Sequence, residues 1–327
     1  MRTPRLLHSD AGQGATEQRT EPYLSTAEGA AEVATQAGAE SDSRAASLAG
    51  RQAGAVEWPW QLFDTHCHIH EAQFELPGDE AMRAIWLRAN KPDPDDIIQR
   101  AVKEGVTRMI CVGTSAADSQ LAVDFVQSRR QCWASVGLHP HEAKNGDQAL
   151  QTIAKLADQP KVVAIGECGL DYYYTHSPKA DQQKALRFQI ELAQKHNVPL
   201  IFHVREAFDD FWPIFDSYLG LHGVLHSFTD TQANLDKALA RGLYIGVNGI
   251  ITFTKHDWQL EVAKNIPADR LLLETDAPFL TPAPLRGKVN EPAYVRLVAE
   301  FLSKLRNQPL DEIAAASTHN ATKLFSL

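Results

Sequence analysis

Apolar residues gather in eight short runs along the chain: Leu62–Thr65, Arg108–Val112, Trp133–Gly137, Val162–Gly166, Leu200–Val204, Gly223–His226, Leu243–Val247 and Leu271–Glu274. The runs are nearly continuous rather than alternating, as in parallel strands buried on both faces. Between them lie segments with helical patterning: Pro94–Glu104, Ala117–Arg129, Gln148–Asp158, Pro178–His196, Ala207–Leu219, Gln232–Arg241 and Asp257–Asn265. Tyr294–Arg306 and Leu310–His319 follow the last run. Helix starts carry caps, with Ser177 ahead of Pro178 and Asp230/Thr231 ahead of Gln232. Gly105 and Gly242 stand just past helix ends, where left-handed backbone is needed. Eight β-α repeats in about 265 residues predict a (β/α)8 TIM barrel of the α/β class. A doubly wound sheet is the rival, but it would not readily bring the ends of strands one, four, five, six and eight to one point.

Residues 1–58 differ from the rest, being rich in Ala, Gly, Ser, Thr, Gln and Glu and poor in large apolar side chains. Such a stretch buries too little surface to offset its ordering entropy. A disordered, low-complexity N-terminal extension is therefore expected over 1–58, with the barrel domain over 59–327. The whole chain, at 44% hydrophobic and 22% charged, is ordinary for a globular protein. No apolar run approaches the ~18 residues of a membrane span, and no secretory-type apolar core occurs near the start. The four cysteines form no CxxC pair and read as buried thiols. A cytoplasmic monomer is the expectation. The net charge of −9 argues against strong non-specific grip on duplex DNA. It leaves nucleic acid open as a substrate, because bound cations supply positive charge locally.

Potential metal ligands close several of the runs. His66 and His68 follow the first and, two residues apart on extended backbone, project to one side. Thr65 and Cys67 then point the other way, into packing. Glu167 follows Val162-Val163-Ala164-Ile165, where an unpaired carboxylate would be costly to bury. It is either salt-bridged to a barrel arginine or a carboxylate whose two oxygens serve two cations. Asp171 either orients a neighbouring ligand or caps the next segment. His203 ends the fifth run with Arg205 on the same side, a pairing suited to phosphate esters. His226 repeats the arrangement on the sixth. Three leucines run into Glu274-Thr275-Asp276, making Asp276 a candidate ligand and proton acceptor while Glu274 faces polar groups of the barrel.

Six motifs in order, Asp64-Thr65-His66-Cys67-His68, Gly137-Leu138-His139-Pro140-His141, Gly166-Glu167-Cys168-Gly169-Leu170-Asp171-Tyr172-Tyr173, His203-Val204-Arg205-Glu206-Ala207, His226-Ser227-Phe228 and Glu274-Thr275-Asp276-Ala277-Pro278, resemble the TatD family of metal-dependent deoxyribonucleases, within the amidohydrolase-like barrels. The resemblance spans about Leu62 to Leu327. It implies that His66, His68 and Asp276 hold one divalent cation, that His203 and His226 hold a second, and that Glu167 bridges them. It also implies Mg2+-supported DNase activity, whereas the donor set alone suits Zn2+, Mn2+ or Fe2+. Arg286-Gly287-Lys288-Val289-Asn290-Glu291-Pro292 matches a family segment that shapes the substrate loop, which makes Arg286 and Asn290 substrate-binding candidates. The stretch from Glu75 to Pro94, with Trp86, is longer than the family's usual first connection.

The implied reaction is metal-assisted hydrolysis of phosphodiester bonds, exonucleolytic and on single-stranded DNA ends. Asp276 accepts the proton of an activated water, while Arg205 with the cations stabilises phosphoryl charge. His139 touches substrate or is a structural turn residue. Tyr172–Tyr174, Phe228 and Phe253 either stack on bases or pack in loops. Two other readings are an amidohydrolase-type enzyme acting on an amide, lactone or nucleobase, and a non-catalytic barrel.

Overall fold

The computed structural model describes residues 59–74, 78–174 and 176–327; the extension expected over 1–58 lies outside them. Eight strands, β1 (Leu62–Cys67), β2 (Val106–Val112), β3 (Cys132–Val136), β4 (Val162–Asp171), β5 (Leu200–Arg205), β6 (Gly223–Leu225), β7 (Tyr244–Val247) and β8 (Leu271–Leu273), pair in parallel and in sequential order. Asp276 N donates to His66 O at 2.8 Å and His68 N to Ala277 O at 2.7 Å, closing the ring at its rim. This is the expected (β/α)8 barrel.

Helices alternate with the strands, most of them on the outer face: α1 (Glu80–Arg88), α2 (Pro94–Lys103), α3 (Ala116–Val126), α4 (Gly146–Leu156), α5 (Lys179–His196), α6 (Phe208–Asp216), α7 (Gln232–Ala240), α8 (Asp257–Asn265), α9 (Val295–Arg306) and α10 (Leu310–Phe325). No helix among the described residues is long and apolar enough to cross a membrane. All four cysteines are free and buried, as expected.

Side-chain alternation sorts the strands into two cores. Phe63, Ile110, Val112, Ala164, Ile201, Val224, Tyr244 and Leu272 pack inside the barrel, and Ala321, Leu324 and Phe325 of α10 close its lower end. The residues between them in sequence, such as Leu200, Phe202, Leu271 and Leu273, pack outward against helices. Continuing the inward parity past the last apolar layer brings His203 on from Ile201, His226 from Val224, and Glu274 and Asp276 from Leu272. Barrel chemistry sits at this carboxyl-end rim because the strands deliver side chains there from several directions.

The long first connection holds a helix that the sequence pattern did not mark. Asp79 caps α1 by accepting from Met82 N at 2.7 Å. Met82 and Trp86, one turn apart, are its buried residues, which is too short an apolar stripe to stand out. Arg83 reaches back to Glu71, Nε to Oε2 at 2.8 Å, and ties α1 to the 3-10 turn (Ile69–Ala72) that follows β1. Trp86 is 1% exposed. Trp86→Ala should therefore cost about 3–5 kcal/mol, measured by denaturant unfolding. A loss below ~1 kcal/mol would place α1 outside the cooperative core.

Candidate metal centre

Two strands reach the site through irregular register. On β4, Ala164 faces inward and so does Glu167, three residues later; a register shift between Ile165 and Cys168 supplies the extra residue. On β1, a shift between Asp64 and Cys67 turns Cys67 outward and leaves His66 and His68 on the mouth side. Thr65 bonds Leu273 O, and Cys67 joins the outer core, so both serve packing as expected.

The donor atoms converge. His68 Nε2 lies 3.3 Å and His66 Nε2 3.7 Å from Asp276 Oδ1, and His66 Nε2 lies 3.4 Å from Glu167 Oε2. The other Glu167 oxygen, Oε1, is 2.9 Å from His203 Nδ1, 3.5 Å from His226 Nε2 and 3.5 Å from His139 Nε2. Glu167 thus lies between two donor sets and offers one oxygen to each. His66, His68 and Asp276 form one group with the proximity that a metal ion requires, and His139, Glu167 and His203 form another. His66 and His226 stack with ring centres 3.7 Å apart.

His66 tests whether the residues fit a cation. It is fully buried, and neither ring nitrogen has a hydrogen-bond partner. A buried polar group in that condition is costly unless something else satisfies it. Donors about 2.0–2.2 Å from a shared cation lie roughly 3.0–3.5 Å from one another. The 3.3–3.7 Å gaps around His66, His68 and Asp276 come close to that spacing. The residues fit a metal ion.

Protonation follows the same geometry. Burial pushes the Glu167 carboxyl up, but the nearby imidazoles of His139 and His226 and a hydrogen bond from His203 hold it well below its ordinary value. Burial disfavours charge on His68 and His203, yet Asp276 raises His68 to about 9, and Asp171 with Glu167 raises His203 to about 10. His66 moves down, through burial and repulsion from His226. A metal ion held by these imidazoles would compete with their protons.

Side chains behind the donors hold them in place. His68 Nδ1 bonds Val112 O at 2.8 Å, which directs Nε2 toward Asp276. His226 Nδ1 faces Glu274 Oε1 at 3.0 Å, and the same oxygen accepts from Ser227 N at 2.6 Å. Glu274 thus meets a polar group of the barrel, as expected, and that group is a candidate ligand. Asp171 does both things its sequence position allowed. Oδ1 caps Tyr173 N and Tyr174 N at 2.9 Å each, while Oδ2 contacts His203 Nε2 at 3.1 Å and His141 Nε2 at 3.0 Å. His141 escaped the sequence reading, although His139-Pro140-His141 repeats the two-residue spacing of His66 and His68.

The remaining candidates lie around the mouth. Arg205 covers the rings of Tyr173 and Tyr174, and the exposed Arg286 covers Phe253. Asn290 is fully buried, and its amide donates to Thr275 O at 2.9 Å and Phe279 O at 2.5 Å, so it braces the loop that carries Asp276.

The chain is similar to known proteins in sequence and in fold. Residues 63–326 match the family described as TatD related DNase. A Bacillus subtilis (strain 168) protein described as the uncharacterized metal-dependent hydrolase YabD is 37% identical over 269 residues, 81% of this chain and 99% of the relative. The 3'-5' ssDNA/RNA exonuclease TatD of Erwinia tasmaniensis is 38% identical over 244 residues, 72% of this chain and 94% of the relative. Among solved structures, the TatD homologue YJJV of Escherichia coli K12 superposes with a TM-score of 0.71 at 29% identity, covering 81% of this chain and 98% of that one. With the barrel, the convergent donors and these matches in hand, the chain belongs to the TatD-related DNase family, as a metal-dependent hydrolase.

Proposed function

We propose that this hydrolase is an exodeoxyribonuclease acting on single-stranded DNA ends, with two divalent cations per chain. His66, His68 and Asp276 hold one, His203 and His226 the other, and Glu167 bridges them; Mg2+ is the working cation, with Mn2+ or Zn2+ as alternatives. The observation that carries this reading is Glu167, whose two oxygens face separate donor sets at 2.9–3.5 Å. The names of the TatD relatives support nucleic acid as the substrate and attack from the 3' end.

When bound, the cations lower the pKa of the attacking water and offset negative charge on the phosphoryl oxygens. Asp276, 3.3 Å from His68 Nε2, accepts the proton from that water. Arg205 on β5 extends from the His203 side of the mouth, where its guanidinium neutralises phosphate oxygens. His139, beside Glu167 Oε1 at 3.5 Å, either contacts the substrate or adds a donor to the second set. Arg286 meets the strand from the loop above, which Asn290 braces from below.

End-labelled single- and double-stranded DNA, digested with Mg2+, Mn2+ or EDTA, tests the proposal. Shortening of the single strand from its 3' end with cation, and none with EDTA, is the expected result; cleavage indifferent to EDTA, or none with either cation, would overturn it. Asp171→Asn should weaken cation affinity or turnover by about 10–100-fold, because it loosens His203 without removing a donor. Isothermal titration with Mn2+ measures the effect, and wild-type affinity and turnover together would reduce Asp171 to a cap for Tyr173.

A further inference from the structure

Two aromatic–guanidinium pairs flank the cluster of donors. Arg205, at the end of β5, sits 4.1 Å from the ring centre of Tyr173 and 4.9 Å from that of Tyr174, in the loop after β4. Arg286, in the loop after β8, sits 3.8 Å over Phe253, in the loop after β7. Strand order keeps the pairs apart on the ring. The β6 end with His226 separates them on one side, and the β1 end with His66 and His68 lies along the other path.

Both pairs are fixed in place. Asp171 Oδ1 accepts from Tyr173 N and Tyr174 N at 2.9 Å. Ala283 N donates to Thr252 Oγ1 at 2.8 Å, linking the β8 and β7 loops, and Arg286 donates to Thr281 O at 2.7 Å. Arg286 is exposed, and Tyr173, Phe253 and Arg205 are half-buried, so solvent reaches all four. The chain as a whole carries −9 and repels a polyanion at long range. Affinity for a nucleic-acid strand must then come from contacts at the mouth. A guanidinium over an aromatic ring offers two of them together, a flat face for an unpaired base and a cation for the adjoining phosphate. A duplex cannot use both pairs, because its bases stay stacked inside the helix.

We infer that Tyr173 with Arg205, and Phe253 with Arg286, are two stacking platforms that hold the nucleotides on either side of the cleaved bond in single-stranded DNA. This rests on the phosphodiesterase reading and adds to it which side chains receive the bases. One platform grips the retained strand and the other the departing nucleotide, so the phosphate between them is drawn across the donors.

The test uses a cleavage-resistant phosphorothioate oligonucleotide with 2-aminopurine at either of the two terminal positions, mixed with Mg2+-loaded protein. Wild type should quench the fluorescence at both positions. Tyr173→Leu and Phe253→Leu should each lose the quench at one position and bind roughly ten-fold more weakly or worse. Tyr173→Phe and Phe253→Tyr keep a ring face and should restore the quench, which separates stacking from a damaged loop. No quench with wild type, or full quench and affinity in both leucine variants, would overturn the platforms. Cleavage of an ordinary strand by wild type, scored in parallel, reports on the phosphodiesterase reading by itself: a protein that cleaves while both leucine variants quench fully refutes the platforms alone.

Discussion

Glu167→Gln is expected to lower turnover by ~10³ or more while leaving the barrel folded. The substitution keeps the size of a side chain that is 4% exposed and removes its charge. In the wild type both oxygens are engaged, Oε2 facing His66, and Oε1 facing His203, His226 and His139. An amide can present one neutral oxygen to one set, and its NH2 repels a cation on the other. The surrounding imidazoles hold Glu167 ionised despite burial, so the charge belongs to the native arrangement. The fold should survive because His203 keeps Asp171 as its partner at 3.1 Å, and His226 keeps Glu274 at 3.0 Å. Steady-state kinetics with Mg2+ and with Mn2+, beside circular dichroism melts, check both halves. Turnover within about ten-fold of wild type would remove Glu167 from the bridging role.

Gly169→Ala is expected to destabilise by on the order of 3 kcal/mol or more. Gly169 has φ +150, and a Cβ there would collide with the carbonyl oxygen of His203 on the adjacent strand. The obstacle is paired backbone, since Gly169 and His203 are register partners between β4 and β5, so no side chain can rotate away. Relief requires pushing β5 outward, and β5 carries His203 and Arg205. The melting temperature should fall by on the order of 10 °C, and turnover should fall with it. A shift under about 2 °C would mean that β4 and β5 do not approach as closely as the structure has them.

The barrel was legible in the sequence because parallel strands buried on both faces write themselves as continuous apolar runs. Leu271-Leu272-Leu273 serves both cores at once. The gathering of polar side chains at one rim was legible for a related reason: those that end such runs have little use as packing. Period two put His66 and His68 on one side, and that held. What local pattern could not supply was the phase between strands. Parity from Ala164 would turn Glu167 outward, and the register shift beside Gly166 reverses it. Nothing in residues 64–67 marks the similar shift on β1. The roles of Asp171, His141 and Glu274 were beyond reach in detail because they depend on contacts between strands, such as His141 with Asp171 thirty positions away. The first helix was missed because Met82 and Trp86 give it a single turn of apolar stripe.

Metal content tests the central claim most directly. Protein stripped with chelator, dialysed against excess Mn2+ and freed of unbound ion should retain two Mn2+ per chain by mass spectrometry, and His203→Ala should retain fewer at an unchanged circular dichroism spectrum. Wild type that holds no cation, or a folded His203→Ala that holds as many as wild type, would contradict the account.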